Sequence, residues 1–333
     1  MSHEVEQMAF VGETPWHGLG NLLQDNATIE EWTTQAGMDW SIREANVNFT
    51  AITGDFETVN VPFEKQKILY RSDTLAPLSV VSDRYNVVQP AEIMEFYRDL
   101  TQNSDFKLES AGVLKEGKKL WALAKTGQSM ALKGGDLTES YILLATACDG
   151  TMATTAQFTS IRVVCANTLA WAIGSKKKGD HGVIKVPHST VFDAQDVKQR
   201  LGINTKAWDD YAYAMKALTE RKVNDAEVRS YINRLYATID ARQPMRVNKK
   251  TGEVSVPNAK AKNRIEALYN GHGHGANLAS AQGTAYGLLN AVTEYVDHER
   301  GTHNKDNRID SAWFGVGAEL KELALREAYQ LIS

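Results

Sequence analysis

Four polar side chains in "GTAYGLLNAVTEYVDH" (residues 283–298) could do chemistry together: Asn290, Glu294, Asp297 and His298. Residues three and four apart are neighbours on a helix, so the spacing gathers them on one face. An amide, two carboxylates and an imidazole can ligate a divalent metal or move a proton. A metalloprotease helix needs two histidines four apart with a glutamate between them, and this segment offers one. Reinforcement comes from "GHGHG" (271–275), where His272 and His274 could join Glu294 or His298 around a metal. The competing reading is structural. Asn290 and Glu294 then hydrogen-bond to neighbouring segments, while Asp297 and His298 sit near the helix end, where a histidine also suits the helix dipole.

A second constellation is cationic. Lys118 and Lys119 fall at a hairpin, Lys125 and Arg162 on strands, Lys176, Lys177 and Lys178 in the loop "SKKKGDHG", and Lys185 just beyond it. With Trp121 and Phe158 nearby, such a set is what sequence-tolerant binding of single-stranded DNA requires, because cations follow the phosphate backbone and rings accept bases. The alternative is a solvated face. The net charge of −4 conceals an asymmetry: residues 1–100 carry −10, residues 101–280 carry +9 and residues 281–333 carry −3. A basic middle between acidic ends can hold a polyanion locally while the whole protein stays mildly acidic.

Other motifs carry less. "PWHGLG" is a tight glycine turn that could present Trp16 or His17, but it is too short for a phosphate-binding loop. His188 and Ser189 in "VPHST" lack a third partner for nucleophilic catalysis. The two cysteines, Cys148 and Cys165, lie too far apart along a hairpin to be bridged, and no CxxC pattern suggests a zinc finger.

The elements that must position these residues follow from periodicity. "TIEE" (28–31) has the spacing of a capping box, and Gly37 closes the helix it opens. "SIREANVNFTAI", "ETVNVPF" and "QKILYRS" read as strands. Pro90 opens a helix whose apolar stripe is Ile93, Phe96, Tyr97 and Leu100. "ESAGVLKEGKKLWALAKTG" reads as a hairpin turning at Glu116-Gly117, and "ESYILLATACDG" as a strand buried on both sides that ends in an Asp149-Gly150 turn. "TTAQFTSIRVV" is a further strand. "ANTLAWAIG" is predicted to begin a helix capped by Asn167 and ended at Gly174. Beyond it the pattern is helical, with stripes at Trp208, Tyr211, Met215 and Leu218 and at Val228, Tyr231, Ile232, Leu235, Tyr236 and Ile239, and with two final helices at 280–299 and 316–331.

The expected class is α+β: an antiparallel sheet core with flanking helices and a helical carboxy-terminal part. Three regions are expected: a strand-rich 1–90, a helix–sheet–helix core at 91–190 and a mainly helical 191–333. Apolar residues at 43% and charged residues at 23% are ordinary for a folded chain. No apolar stretch approaches the roughly 20 residues that span a bilayer, and the amino terminus lacks a signal-peptide pattern, so no membrane partner and a cytoplasmic location are expected.

"PWHGLG", "VVSDRYNVVQP", "FTSIRVVCANTL" and "GTAYGLLNAVTEYVDH", in that order over almost the whole chain, resemble the phage/plasmid-like protein family, a domain of unknown function carried by bacteriophages and plasmids. The resemblance implies a mobile-element origin and a host-cell cytoplasmic location, and supplies no catalytic residues. The order helix, antiparallel strands, helix at 91–174 is also similar to the core of the RecT/Redβ single-strand annealing superfamily, whose members form rings or filaments on DNA. The resulting expectation is a homo-oligomeric protein that binds single-stranded nucleic acid in recombination, annealing or replication, with no cofactor and no covalent chemistry. Two alternatives stand beside it: a metal-dependent enzyme using Glu294, Asp297 and His298 with His272 or His274, and a protein-binding factor that blocks a host defence.

Overall fold

The computed structural model describes residues 4–12, 18–103, 106–164, 167–170, 183–201, 205–240, 246–247, 254–255, 258–301 and 308–333. The described chain runs β1 (Val5–Val11), β2 (Asn21–Leu23), α1 (Ile29–Gln35), β3 (Ile42–Ile52), β4 (Thr58–Arg71), β5 (Pro77–Ser82), α2 (Pro90–Asn103), β6 (Lys107–Leu114), β7 (Lys119–Leu132), β8 (Asp136–Ala147), β9 (Thr154–Arg162), β10 (Asn167–Ala170) and β11 (Val183–Val186). It continues through α3 (Ala194–Leu201), α4 (Thr205–Glu220), α5 (Asp225–Asp240), the short strands β12 (Arg246–Val247) and β13 (Val254–Ser255), α6 (Ala259–Ala267), α7 (Ala285–Glu294), α8 (Arg308–Phe314) and α9 (Val316–Tyr329). The class is α+β with helices in the carboxy-terminal part.

Two compact units form, and neither is a single stretch of chain. The first takes Met1–Gly127, Tyr141–Phe158 and Ser175–Ile203; the second takes Gln128–Ser140, Thr159–Gly174 and Asn204–Ser333. Strands β7, β8 and β9 each give residues to both. This division follows different boundaries from the three consecutive regions read from the sequence.

In the first unit the sheet runs β9-β8-β7-β6-β1-β2, with β11 also antiparallel to β9 and with β1–β2 the parallel pair. Residues 119–124 of β7 are all buried, because an inner strand of a sheet covered on both faces exposes neither side-chain row. Helix α2 buries the stripe Ile93, Phe96, Tyr97 and Leu100. The Tyr97 hydroxyl donates to the Ala122 carbonyl at 2.7 Å and accepts from the Leu144 N–H at 2.9 Å, which ties the helix to β7 and β8. The turn into β7 uses left-handed backbone at Lys115, Glu116 and Gly117, and a side chain at Gly117 would press on the Trp40 ring. The capping box forms as read: the Glu31 N–H donates to Thr28 Oγ1 at 3.2 Å and the Thr28 N–H to Glu31 at 2.7 Å. A separate three-stranded sheet, β3-β4-β5, is dominated by the long β3–β4 hairpin.

In the second unit all ten residues of α7 are buried. A helix apolar nearly all round belongs inside a core. Gly287 is required there because a side chain would collide with the Ala281 carbonyl, and the Thr284 hydroxyl caps the helix by accepting from the Gly287 N–H at 3.0 Å. One sequence expectation fails here: Asn167–Ala170 form strand β10, antiparallel to β9 from Asn167↔Arg162 to Ala170↔Thr159, instead of starting a helix. Pairing with a formed strand outweighs the local preference of a short apolar run. The remainder of that expected helix lies outside the described residues.

Candidate nucleic-acid interface and a buried polar cluster

The constellation on α7 is committed to the protein's own interior. Asn290 donates from its side-chain amide to the Tyr286 carbonyl, one turn back, at 2.9 Å. The Glu294 carboxylate is buried and accepts the His274 N–H at 3.0 Å, with His274 Nδ1 also 3.0 Å away. The glycines of "GHGHG" make this possible: Gly271 and Gly275 adopt left-handed backbone, and a side chain at Gly273 would strike the Glu294 carboxylate. The contact between His274 and Glu294 considered from the sequence is thus formed, with the imidazole itself largely exposed. Asp297 is paired with Lys321 at 2.7 Å, both buried. His298 is half-buried and its carbonyl accepts from Arg308; His272 is exposed. Among the described residues no three histidine, cysteine or acidic side chains gather in a way that could hold a metal ion.

Arg162 belongs to the same interior. Read from sequence as a surface cation, it is 3% exposed and its guanidinium grips Asp136 with Nε to Oδ1 at 2.8 Å and Nη2 to Oδ2 at 2.7 Å. Nη2 also reaches the Gly275 carbonyl at 3.1 Å, Ser280 donates to Asp136 at 2.6 Å, and the guanidinium lies 5.4 Å from the Tyr286 ring centre. Such a buried pair is tolerable only with this degree of hydrogen bonding. Beside it is a cavity of about 20 Å³ bounded by Thr138, Ser160, Tyr211, Tyr286 and Asn290, enough for one water and no substrate. Burial pushes the Tyr286 phenol up to about 12 and that of Tyr211 well above its ordinary value, so neither serves as a base near neutrality.

The first unit corrects the rest of the cationic set. Lys119, Trp121 and Phe158 are buried at 6%, 2% and 4% exposure. Together with Arg162 they offer no surface to a polyanion or a base, because the strands that carry them are covered. Lys118 and Lys125 are half-buried, and Lys125 pairs with Glu109 at 3.4 Å. Lys185 is exposed on β11. Lys176, Lys177 and Lys178 lie outside the described residues, as do Trp16, His17 and Cys165. The His188 ring stacks on Tyr85 at 4.3 Å with Nδ1 2.9 Å from the Asn86 carbonyl, a packing arrangement, while Ser189 is exposed. Burial pushes the Cys148 thiol up to about 12, which leaves it unreactive at neutral pH.

The surface feature missed from sequence is on α5. Ala226, Arg229, Ser230, Asn233, Arg234 and Ala237 line an open groove of about 600 Å³ in the second unit. A second hollow of about 490 Å³ adds Arg221, Gln330 and Ser333 beside Arg234. Arg234 pairs with Glu327 at 2.5 Å and Arg221 with Glu227 at 2.5 Å, while Arg229 is exposed and makes no ion pair among the described residues. The signal was in the spacing: 226, 229, 230, 233, 234 and 237 are the polar face left over by the apolar stripe at Val228, Tyr231, Ile232, Leu235 and Tyr236. An open, arginine-bearing groove can accept phosphates or carboxylates side-on, since the guanidinium fork matches both.

A family model described as a domain of unknown function, DUF932, matches residues 77–313. No curated protein and no solved structure matches the chain.

Proposed function

The chain belongs to the DUF932 family, a domain of unknown function that spans Pro77 to Trp313 here, and from that footing we propose that it binds nucleic acid, single-stranded DNA first, through its phosphates. The observation that carries this reading is the shallow α5 groove, where the exposed Arg229 stands beside Ser230, Asn233 and Arg234, the last paired with Glu327. It lies in the part of the chain, residues 101–280, whose net charge is +9. An open trough suits an extended backbone, whereas small-molecule sites are enclosed. With Trp121 and Phe158 buried, affinity rests on charge, so binding is sequence-tolerant and falls steeply with salt. In the first unit, Lys118, Lys185 and the run Lys176, Lys177, Lys178 are further cations proposed for phosphate contact, independently of the α5 groove. The protein acts as a homo-oligomer in the cytoplasm of a host cell, in recombination, annealing or replication of a phage or plasmid. No helix among the described residues is long and apolar enough to cross a bilayer.

Fluorescence anisotropy of a labelled oligonucleotide against salt tests the reading. Arg229→Glu with Arg234→Glu is expected to weaken binding by about a hundredfold and to flatten the salt slope. Lys176, Lys177 and Lys178 changed together to glutamate should do the same. Binding absent at low ionic strength, or indifferent to both sets, ends the proposal. The alternative, a metal-dependent enzyme using Glu294, Asp297 and His298 with His272 or His274, keeps the contact between His274 and Glu294 in its favour and has against it the pairing of Asp297 with Lys321. A stoichiometric metal in elemental analysis, lost in His298→Ala, would favour it over the first.

A further inference from the structure

The β3–β4 hairpin extends beyond the strand that supports it. Strand β5 pairs with β4 only over Gln66–Tyr70, so from Asn48↔Pro62 to Ile52↔Thr58 the hairpin is a two-stranded ribbon with no described strand on either edge. Two-stranded ribbons are at best marginal in water by themselves. This one is also amphipathic. Partners across a ladder share a face, and residues two apart share it too, so Phe49 and Val61 lie with Ala51 and Val59 on one side. Below Phe49 and Val61 the ladder breaks register between Asn46 and Asn48, so the regular alternation ends there. The opposite side carries Asn48, Thr50, Thr58, Asn60 and Pro62, with Ile52 near the tip. An alternating pattern of this kind normally marks a face packed on a core. Here Phe49 is 50% exposed and Val59 42%. At the tip, the Thr53 N–H donates to the Glu57 carbonyl at 2.8 Å, and the turn sets Phe56 at φ +63°, 89% exposed. Left-handed backbone there would suit glycine or asparagine; a bulky aromatic presented to solvent at such a position is strained without gaining burial.

We propose that this apolar face is a self-association surface, and that its occupant is the same arm of a second copy, packed face to face and antiparallel about a two-fold axis. Two features of the arm select a second copy in that orientation. The first is charge: the tip carries Asp55 and Glu57, whereas the base carries net +1 from Arg43, Lys65 and Lys67 against Glu44 and Glu64. Lys67 is spent on Glu44 at 2.8 Å, while Arg43 and Lys65 at the base and both tip carboxylates make no ion pair among the described residues. Antiparallel stacking sets each tip on the other base, and parallel stacking sets like on like. The second is shape: the tip end of the apolar face has Ala51 and Val59, and the base end has Phe49 with Val61. Inverting one arm on the other lays the bulky end over the small one, as an isologous interface demands. The acidic tip argues against a nucleic acid as the occupant.

Sedimentation velocity over a range of concentrations, without any nucleic acid, tests this separately from the binding reading above. The wild-type chain should pass from monomer to dimer, and Phe49→Glu with Val59→Glu should weaken dimerisation at least about tenfold with an unchanged circular dichroism spectrum and melting temperature. The decisive arm uses two charge reversals, Asp55→Lys with Glu57→Lys in one chain and Arg43→Glu with Lys65→Glu in another. Each alone should be impaired, and their mixture should recover a dimer containing one of each. A wild-type chain that stays monomeric, apolar variants that dimerise like wild type, or reversals whose mixture fails to recover would each overturn the proposal.

Discussion

Helix α7 and the β3–β4 arm are opposite failures of the usual surface-to-core pattern. In α7 and its surroundings, charged and polar side chains are buried and answered: Asp136 by Arg162 and Ser280, Glu294 by His274, Asp297 by Lys321. In the arm, apolar side chains are exposed and unanswered within the described chain. Polar residues whose partners are complete are architecture, however catalytic their spacing looks. Apolar residues whose partners are missing point outward, to another molecule.

The largest effect that would sharpen this contrast is Asp136→Ala. It leaves the Arg162 charge buried without its partner and is expected to cost about 3–5 kcal/mol in urea unfolding. Replacing both residues with apolar ones of similar volume should recover most of that loss. If the single change is nearly neutral, the cluster is not the interior anchor described. Lys321→Met is next, at about 3 kcal/mol, with the same recovery expected when Asp297→Leu is added. In the arm the sign reverses: Phe56→Gly should raise thermal stability by up to about 1 kcal/mol, measured at a concentration where monomer dominates. A loss of stability there would mean Phe56 packs against its own chain. The smallest effect belongs to Asp73 at the foot of the arm. A hydrogen bond from Arg71 holds its carboxyl down to about 2, below the usual 3.8. A depressed folded-state value contributes stability above the ordinary carboxylate range, and that contribution is lost as pH falls from about 4 towards 2. Partial exposure of Asp73 makes it modest. Asp73→Asn should therefore narrow the gap to wild type across that window, read from melting temperature against pH.

Much of the local structure was legible. Thr28 and Glu31, the α2 stripe, the turn at Asp149-Gly150 and the last helices depend on neighbours in sequence, and all appear. What was not legible depends on distant partners. Asn167 looks like a helix cap until β9 is there to pair with it. Lys119 and Trp121 look like one edge of a cationic strand until β6 and β8 flank it. Arg162 finds its counter-ion at Asp136, in another strand. The arm is the reverse case: its alternation correctly indicated strands, but alternation implies a covered face and cannot reveal that no described part of the chain covers it.

The interleaving of the two units bears on how the protein can be cut. A fragment trimmed to the family boundary, residues 77–313, would discard β1, which hydrogen-bonds along β6 from Val5↔Leu114 to Phe10↔Ser110, and α9, which carries Lys321 to Asp297. One unit would be left with a raw sheet edge and the other with a stranded acid in its interior. Expression of the matched segment alone should therefore yield aggregate, and a useful clone must keep at least Val5 to Tyr329.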